Sequence, residues 1–416
     1  MNPKTLRQLH RWLGLAFSLS ALLASSSGVI HQVMTWTQDP PPKAIPSGPE
    51  IPLDSVRIPL AQAVQAVPAA TNGIRAVNLR MIAGEPTYVV WTREAKAPAY
   101  VSGATGKPAP ERDEVFAAEI ATRFFGGVTV RKTAFLTAFD SEYLPIFRIL
   151  PVYRMETGDL SSAGSRSASD PTLYSQDFMN PKTLRQLHRW LGLAFSLSAL
   201  LASSSGVIHQ VMTWTQDPPP KAIPSGPEIP VSTVQIPLAH AVQAVPSAAS
   251  GVRAVNLRMI AGEPTYVVWT REAKAPAYVS GATGKLVPER DEVFAAEIAT
   301  RFFGGAAVRK TALLTAFDSE YIPIFRILPV YRMETGDPAG RRVYVSTMTE
   351  SVTRFTDDGR QWEANLFSNL HKLSFIPNKV LRDGILVAGT AGIFGLSLSG
   401  VILFVATRPR VGSGTE

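Results

Sequence analysis

Three long apolar runs dominate the pattern of hydrophobic and polar positions along this chain. They lie at about residues 12–36, 190–214 and 384–407. Each run is about as long as the roughly 20 residues that a helix needs to cross a bilayer, and Trp190 and Trp214 stand at the two ends of the second run, where aromatic side chains favour the interface. The runs predict three membrane-spanning helices with the lipid bilayer as a partner. A cleavable signal peptide is the competing interpretation, and the length of the second run and its lack of a small-x-small cleavage site count against it.

Between the second and third apolar runs, hydrophobic residues recur with the shorter periods of helices and strands. Helical spacing of apolar residues alternates there with the period of two that is typical of strands. The predicted helices are residues 238–245 and 291–303, and the predicted strands are residues 252–260, 265–271, 329–334 and 342–346. The pattern predicts two small α+β units in tandem, so the fold class is α+β with transmembrane helices.

The chain contains most of its sequence twice. Residues 1–50 recur unchanged as residues 179–228, and the match continues to Asp159 and Asp337 at roughly 90% identity, far above that of diverged structural repeats. Residues 160–178, between the copies, are polar and rich in serine, which fits either a flexible linker or a junction that fused two reading frames. Met179, followed by its own basic arm, favours the fusion.

The predicted organisation is therefore an incomplete first copy (1–159), a junction (160–178) and a complete second copy (179–416). In the first copy the helix spans about 12–36, the first α+β unit about 58–110 and a partial second unit 111–159. The corresponding segments of the second copy are about 190–214, 236–288 and 290–358, followed by the last helix at about 384–407. Because the first copy ends inside a predicted hairpin, we expect its strand at residues 151–156 to keep an open edge.

Basic residues are concentrated beside the apolar runs, and the net charge is +8. Such flanks are typical of the cytoplasmic side of a membrane, and no basic stripe interleaved with aromatic residues predicts a nucleic-acid partner. Three spans inserted in order would put the basic arm of the second copy on the side opposite to that of the first, against the charge rule. The flanking residues are Lys4, Arg7, Arg11, Lys182, Arg185, Arg189, Arg408 and Arg410.

Several chemistries are excluded or disfavoured. The chain has no cysteine, so disulfides, thiolate metal sites and a cysteine nucleophile are excluded. It contains no GxSxG, HExxH or phosphate-loop motif, which argues against a hydrolase. The acidic residues Glu289, Asp291 and Glu292 stand at the start of a predicted helix, where they favour its dipole.

A family resemblance emerges from the order of several short motifs. The segments IPLAHAVQAV, GEPTYVVWTR and AYVSGATGKLV resemble a PepSY domain, with Ser280 where an aspartate is common, and LPVYRMETGDPAGRRVYVSTMTESVTRF resembles a second such unit. The segments LRQLHRWLGL and NLHKLSFIP resemble the flanks of PepSY-associated transmembrane proteins. The resemblance covers nearly all of the second copy. It implies a bacterial inner-membrane protein with a cytoplasmic amino terminus and PepSY-like units in the periplasm.

The resemblance also implies a cofactor, because some larger relatives resemble iron-siderophore reductases that hold haem between their helices. His188 and His209 lie about 30 Å apart along one predicted helix and within about 60° of one face. His209 and His371 are the predicted pair of ligands to a haem b, and His188 would need a partner from a second protomer, which makes a homodimer part of the hypothesis. His10 and His31 are the equivalent candidates of the first copy. No flavin or nicotinamide motif is present, so a redox role would require an outside reductant.

Plainer interpretations remain open. Histidines near membrane surfaces often contact headgroups, and the small residues Ala391, Gly395 and Ser399 have the spacing of simple helix association. The second hypothesis is accordingly a non-catalytic periplasmic binding or regulatory module. Whether the protein is an enzyme stays open; if it is, the resemblance implies a haem-dependent reductase component for iron uptake. His240, which is Gln62 in the first copy, is predicted to be a surface residue.

Overall fold

The structure is a computed structural model that describes residues 2–37, 48–95, 97–143, 150–157, 181–219, 226–273, 275–325 and 327–407. It confirms the α+β class with helices fit to cross a membrane. The chain divides into a helical unit (1–40, 164–217 and 358–416) and a sheet unit (41–163 and 218–357). Each unit contains residues from both sequence copies.

The helices and strands predicted for the second copy are present in the predicted order, and further elements lie between and after them. The helices are α1 (Pro3–Thr37), α2 (Leu60–Gln65), α3 (Arg112–Phe124), α4 (Pro181–Thr215), α5 (Leu238–Gln243), α6 (Arg290–Phe302), α7 (Asp358–Lys372) and α8 (Lys379–Ala406). The strands are β1 (Ile74–Ile82), β2 (Glu85–Thr92), β3 (Ala99–Ser102), β4 (Val130–Leu136), β5 (Val152–Thr157), β6 (Val252–Ile260), β7 (Glu263–Thr270), β8 (Ala277–Ser280), β9 (Arg309–Leu314), β10 (Val330–Glu334), β11 (Arg342–Ser346) and β12 (Ser351–Thr356).

Three helices of the helical unit are long and apolar enough to cross a membrane. Their candidate spans are Pro3–Met34, Lys182–Thr215 and Lys379–Ala406. These helices mark a membrane protein. The first two begin well before the apolar runs because the basic arms are helical as well. α8 begins where the Asn378 side chain accepts a hydrogen bond from the backbone N–H of Leu381 at 3.0 Å, a regular N-cap.

α1 and α4 run parallel to each other and antiparallel to α8. Their equivalent residues His10 and His188 are neighbours, with ring centroids 6.3 Å apart. The Trp12 ring lies 5.8 Å from that of Phe404, and His188 Nδ1 lies 2.9 Å from the Ser399 hydroxyl, so the amino-terminal ends of both helices meet the carboxyl-terminal end of α8. Both basic arms are therefore at the same end of the helical unit. The alternating directions expected for spans inserted in order are not found.

Small residues of α8 allow α4 to come close. A Cβ added at Gly392 would overlap the ring of Phe195, and one added at Gly389 would lie 3.3 Å from the Ser198 hydroxyl. Gly395, in the predicted small-residue spacing, faces Leu191 at ordinary van der Waals distance. This face of α8 thus provides the close helix packing that small residues permit within a membrane.

In the sheet unit the two copies share one six-stranded sheet in the order β3-β2-β1-β6-β7-β8. The central pair, β1 and β6, is antiparallel and places Asn78 opposite Asn256, its equivalent in the second copy. The link is reciprocal: the Ile51 N–H donates to Val252 O, and the Ile229 N–H donates to Ile74 O, both at 2.7 Å. The copies are thus related by a local two-fold rotation and bury a common core.

The two copies differ on the other face of the six-stranded sheet. In the second copy α6 packs against the four-stranded sheet β12-β11-β10-β9, and the predicted hairpin of β10 and β11 is confirmed. In the first copy β4 and β5 form a two-stranded sheet, and within the described residues β5 pairs with β4 alone. Residues 158–180, which follow β5, lie outside the described residues, so the expected open edge stays a prediction.

Candidate functional site

The histidine pair His10 and His188 lies where α1, α4 and α8 meet. His188 Nδ1 lies 2.9 Å from Oγ of Ser399, whose hydroxyl donates to the Leu396 carbonyl oxygen, so Ser399 can accept a hydrogen bond from this ring nitrogen. A Cβ added at Gly400 would come within 3.2 Å of the His188 ring, so glycine lets the half-buried imidazole lie against α8. Sequence reasoning gave His188 no partner within the chain, and the structure supplies one from the first copy.

The predicted ligands His209 and His371 share the interface between α4 and α7. His209 Nδ1 contacts the Glu363 carboxylate at 2.5 Å, and His371 Nδ1 lies 3.1 Å from the Ser205 hydroxyl. The ring of Phe367 contacts both imidazoles, with centroids 5.8 Å from His209 and 4.6 Å from His371. The structure therefore brings the two residues into one cluster, with an aromatic side chain packed against each of them.

Both clusters match the donor chemistry of histidine ligands. A ligating imidazole usually has its second ring nitrogen bound to a carboxylate, carbonyl or hydroxyl, and His188, His209 and His371 each have such a contact. Partial removal from water, and next the Lys372 ammonium, lower the pKa of His371, which favours the neutral form that binds metals. The His10 and His188 ring centroids are 6.3 Å apart, whereas the Phe367 ring lies against both His209 and His371.

The two clusters belong to opposite ends of one helix. His188 and His209 are both on α4, and at 1.5 Å per residue their separation is about 31 Å, close to the thickness of a bilayer core. His31 is exposed on α1, and His240 is exposed on α5, as predicted for a surface residue. In the part of the chain that the structure describes, no group of three or more histidine, aspartate or glutamate residues is placed to hold a metal ion.

Sequence reasoning missed the ion pairs that fix the turns of the sheet unit. Ser280 hydrogen-bonds the Glu263 carboxylate and accepts from the backbone N–H of Thr283 at 3.0 Å, so it organises the turn at which an aspartate is common. Glu263 also pairs with Arg290. The Ser280 hydrogen bond, and next the Arg290 guanidinium, hold the pKa of Glu263 below its ordinary value against the opposing effect of burial.

The predicted acidic cluster has structural partners. Asp291 accepts hydrogen bonds from the hydroxyls of Tyr278 at 2.6 Å and Tyr331 at 2.7 Å, and Glu292 pairs with Lys310. Burial, followed by the Asp291 carboxylate, raises the pKa of the Tyr278 hydroxyl. These contacts link α6 to both sheets of its copy, so the acidic residues contribute to the stability of the fold.

A cavity of about 890 Å³ opens on the face of the shared sheet. Arg80, Arg123 and Arg253 contribute to its wall together with apolar residues, and none of the described residues that line it is acidic. Burial, and next the Arg258 guanidinium, lower the pKa of Arg80 to about 10. The apolar part of the wall includes Met81, Phe116, Ile120, Trp269 and Leu328.

Comparison with known proteins does not identify a family for this chain. No protein-family model matches the chain, and no curated protein is significantly similar to it.

Proposed function

We propose that this chain is a PepSY-type protein of the bacterial inner membrane whose helical unit binds haem b for electron transfer across the bilayer. The contact between His10 and His188 carries the proposal, because it provides two imidazoles at one end of a membrane-spanning helix pair. The second cluster, His209 and His371, is about 31 Å farther along α4. Two ligand clusters at opposite ends of a span are the arrangement that electron transfer through a membrane requires.

Each residue of the clusters has a definite task in this proposal. Bound haem would supply a one-electron carrier, and the imidazoles of His10 and His188 would be the residues that hold it. Ser399 and Glu363 orient His188 and His209 through their second ring nitrogens. The protein would then be the membrane component of a reductase for iron or siderophores, supplied with electrons by a separate reductant.

An absorption spectrum of the full-length chain, extracted from haem-replete cells, tests this proposal. We expect a haem b spectrum, and we expect His188→Ala and His10→Ala to lower the haem content while the elution volume in size-exclusion chromatography stays unchanged. His240→Ala is the matched control, because His240 is exposed on α5. A colourless preparation, or equal haem in all four proteins, would refute haem binding at this pair.

The second cluster has its own test. Phe367→Ala should ease ligation by His209 and His371, because the Phe367 ring packs against both imidazoles. We expect this variant to bind at least as much haem as the unaltered chain, and the further change His371→Ala to remove the part bound at this cluster. If neither change alters the haem content, haem binding would be confined to His10 and His188.

A second candidate function is supported by the cavity of the sheet unit. A recess of about 890 Å³ walled by three arginines and apolar side chains suits a binding module, which needs no cofactor. Under this alternative the helices serve as anchors alone. The spectrum described above discriminates between the two functions, since a binding module is colourless.

A further inference from the structure

The contact between the two copies in the sheet unit is symmetric in its side chains as well as in its backbone. The buried residues of the common core come in equivalent pairs, such as Leu79 with Leu257. Among the described residues, every buried member of this core has its equivalent in the other copy, and Ile74 with Val252 is the pair that differs in residue type. Each copy therefore contains one complete half of the interface.

Two ion pairs join the copies in the same reciprocal manner. Arg93 pairs with Glu228 at 2.8 Å, and Arg271, its equivalent, pairs with Glu50. These side chains are exposed, so the ion pairs contribute little affinity and serve instead to fix the register. The second copy alone contains both groups that such a contact needs, the Glu228 carboxylate and the Arg271 guanidinium.

The strand register is self-complementary too. β1 and β6 place Asn78 opposite Asn256, with equivalent residues on either side. If β6 of another chain took the place of β1, the same register would put Asn256 opposite Asn256 and Val255 opposite Leu257. A surface that matches itself in this way is what an isologous two-fold dimer requires.

The charges beside the central strand pair fit two complete copies better than they fit the present pair. Glu350 pairs with Arg258 at 2.7 Å. Burial, and next the Arg258 guanidinium, lower the pKa of Arg80, while the Glu350 carboxylate opposes them. The segment that holds Glu350 is not repeated, because the match of the first copy ends at Asp159. Two complete copies would provide one Glu350 carboxylate for each Arg258.

We propose that β6, with residues 228 and 229 beside it, is a docking surface for the same surface of a second complete copy in another chain. The first copy occupies this surface here, so the surface becomes available when β1 is displaced or where the complete copy occurs without the first. The helical unit by itself also brings equivalent residues together, since His10 and His188 are neighbours. The inference does not rest on haem binding.

Cysteine cross-linking of the full-length chain in detergent tests this surface, because the chain has no cysteine of its own. Asn256→Cys places a thiol opposite its counterpart in a second chain, at a Cα separation that a disulfide can bridge. Leu79→Asp displaces β1 by putting a charge into the shared core. Under mild oxidation with copper phenanthroline, we expect the double variant to form interchain disulfides roughly a hundredfold faster than a control, because paired strands raise the effective concentration of the thiols.

The control is Lys285→Cys in the same Leu79→Asp chain. Lys285 is exposed just after β8, an edge strand of the six-stranded sheet, so its thiol reports random collisions. Asn256→Cys without Leu79→Asp should cross-link no faster than this control, because β1 covers β6. Asn78→Cys together with Asn256→Cys should instead close a disulfide within one chain.

Asn78→Pro is a second way to displace β1, since proline is not accommodated in a central strand, and it leaves the side chains of the core in place. Mass spectrometry of the cross-linked product should identify a disulfide between the two copies of residue 256. Cross-linking at the control rate in both the Leu79→Asp and the Asn78→Pro chains would overturn the proposal. Equal cross-linking through residue 256 with and without displacement of β1 would overturn it as well.

Discussion

Asn78 and Asn256 lie opposite each other in the central strand pair of the sheet unit, although 178 positions separate them in the chain. They are the same residue of the two copies, so the repeat pairs with itself through an antiparallel contact. The strands beside them bury residues of both copies in one core that contains Leu79 and Leu257. The duplicated sequence consequently shares one hydrophobic core across the copies.

This shared core predicts equal effects of equivalent substitutions. Leu79→Ala and Leu257→Ala should each lower the free energy of unfolding of the sheet unit by about 2–5 kcal/mol, because both side chains are about 1% exposed. Denaturant unfolding followed by tryptophan fluorescence should show one transition for both variants. Two separate transitions, each shifted by one variant, would show that the copies fold independently.

The equivalent arginines of the two copies, Arg258 and Arg80, should contribute unequally to the stability of the sheet unit. Arg258→Met should destabilise the sheet unit by about 1–3 kcal/mol, since it removes the partner of the half-buried Glu350 carboxylate. Arg80→Met should cost less than Arg258→Met or even stabilise the protein, because Glu350 pairs directly with Arg258, whereas burial is the largest influence on Arg80 and the Glu350 carboxylate the smallest. Thermal unfolding of both variants measures the difference. Equal losses would contradict the assignment of Glu350 to Arg258.

The two networks around Glu263 and Glu85 predict acid sensitivity. The hydrogen bond from Ser280 lowers the pKa of Glu263, and that from Ser102 lowers the pKa of Glu85. A carboxyl with a depressed pKa in the folded state contributes stability above its unfolded pKa of about 4.3, and this stability is lost as the pH falls through the folded value. The melting temperature should therefore decline below about pH 4.5, and Glu263→Gln should flatten that decline. An unchanged profile in the variant would rule out Glu263 as a source.

Close packing between α8 and α4 predicts a position-specific effect of alanine. Gly392→Ala should destabilise the helical unit by about 1–3 kcal/mol, because its Cβ would overlap the Phe195 ring. Gly384→Ala is the matched control in the same helix, since no atom lies within 4 Å of a Cβ added there, and it should be neutral or stabilising. Thermal stability in detergent compares the two. A loss of equal size at both positions would place the effect in the backbone rather than in this contact.

Elements with a strong local pattern could be predicted from the sequence. The spans follow from apolar length, and the hairpin of β10 and β11 follows from alternation around a turn. The pairing of β1 with β6 could not be predicted, because a repeated sequence gives no information on whether its strands pair within one copy or between the two copies. The contact of His10 with His188 depends on parallel helices from different copies, and Phe367 enters the second cluster through α7, which has no equivalent in the first copy.

The parallel directions of α1 and α4 impose a condition on how this chain can enter a membrane. If both helices start on one side, Thr37 leaves the bilayer on the opposite side and Pro181 must begin again on the first, so residues 38–180 have to return across it. The described part of that range holds no candidate span, and the sequence of residues 158–180 is polar. A polar return through hydrocarbon is costly. Two separately inserted chains would meet no such barrier when they place these two helices side by side in the same direction.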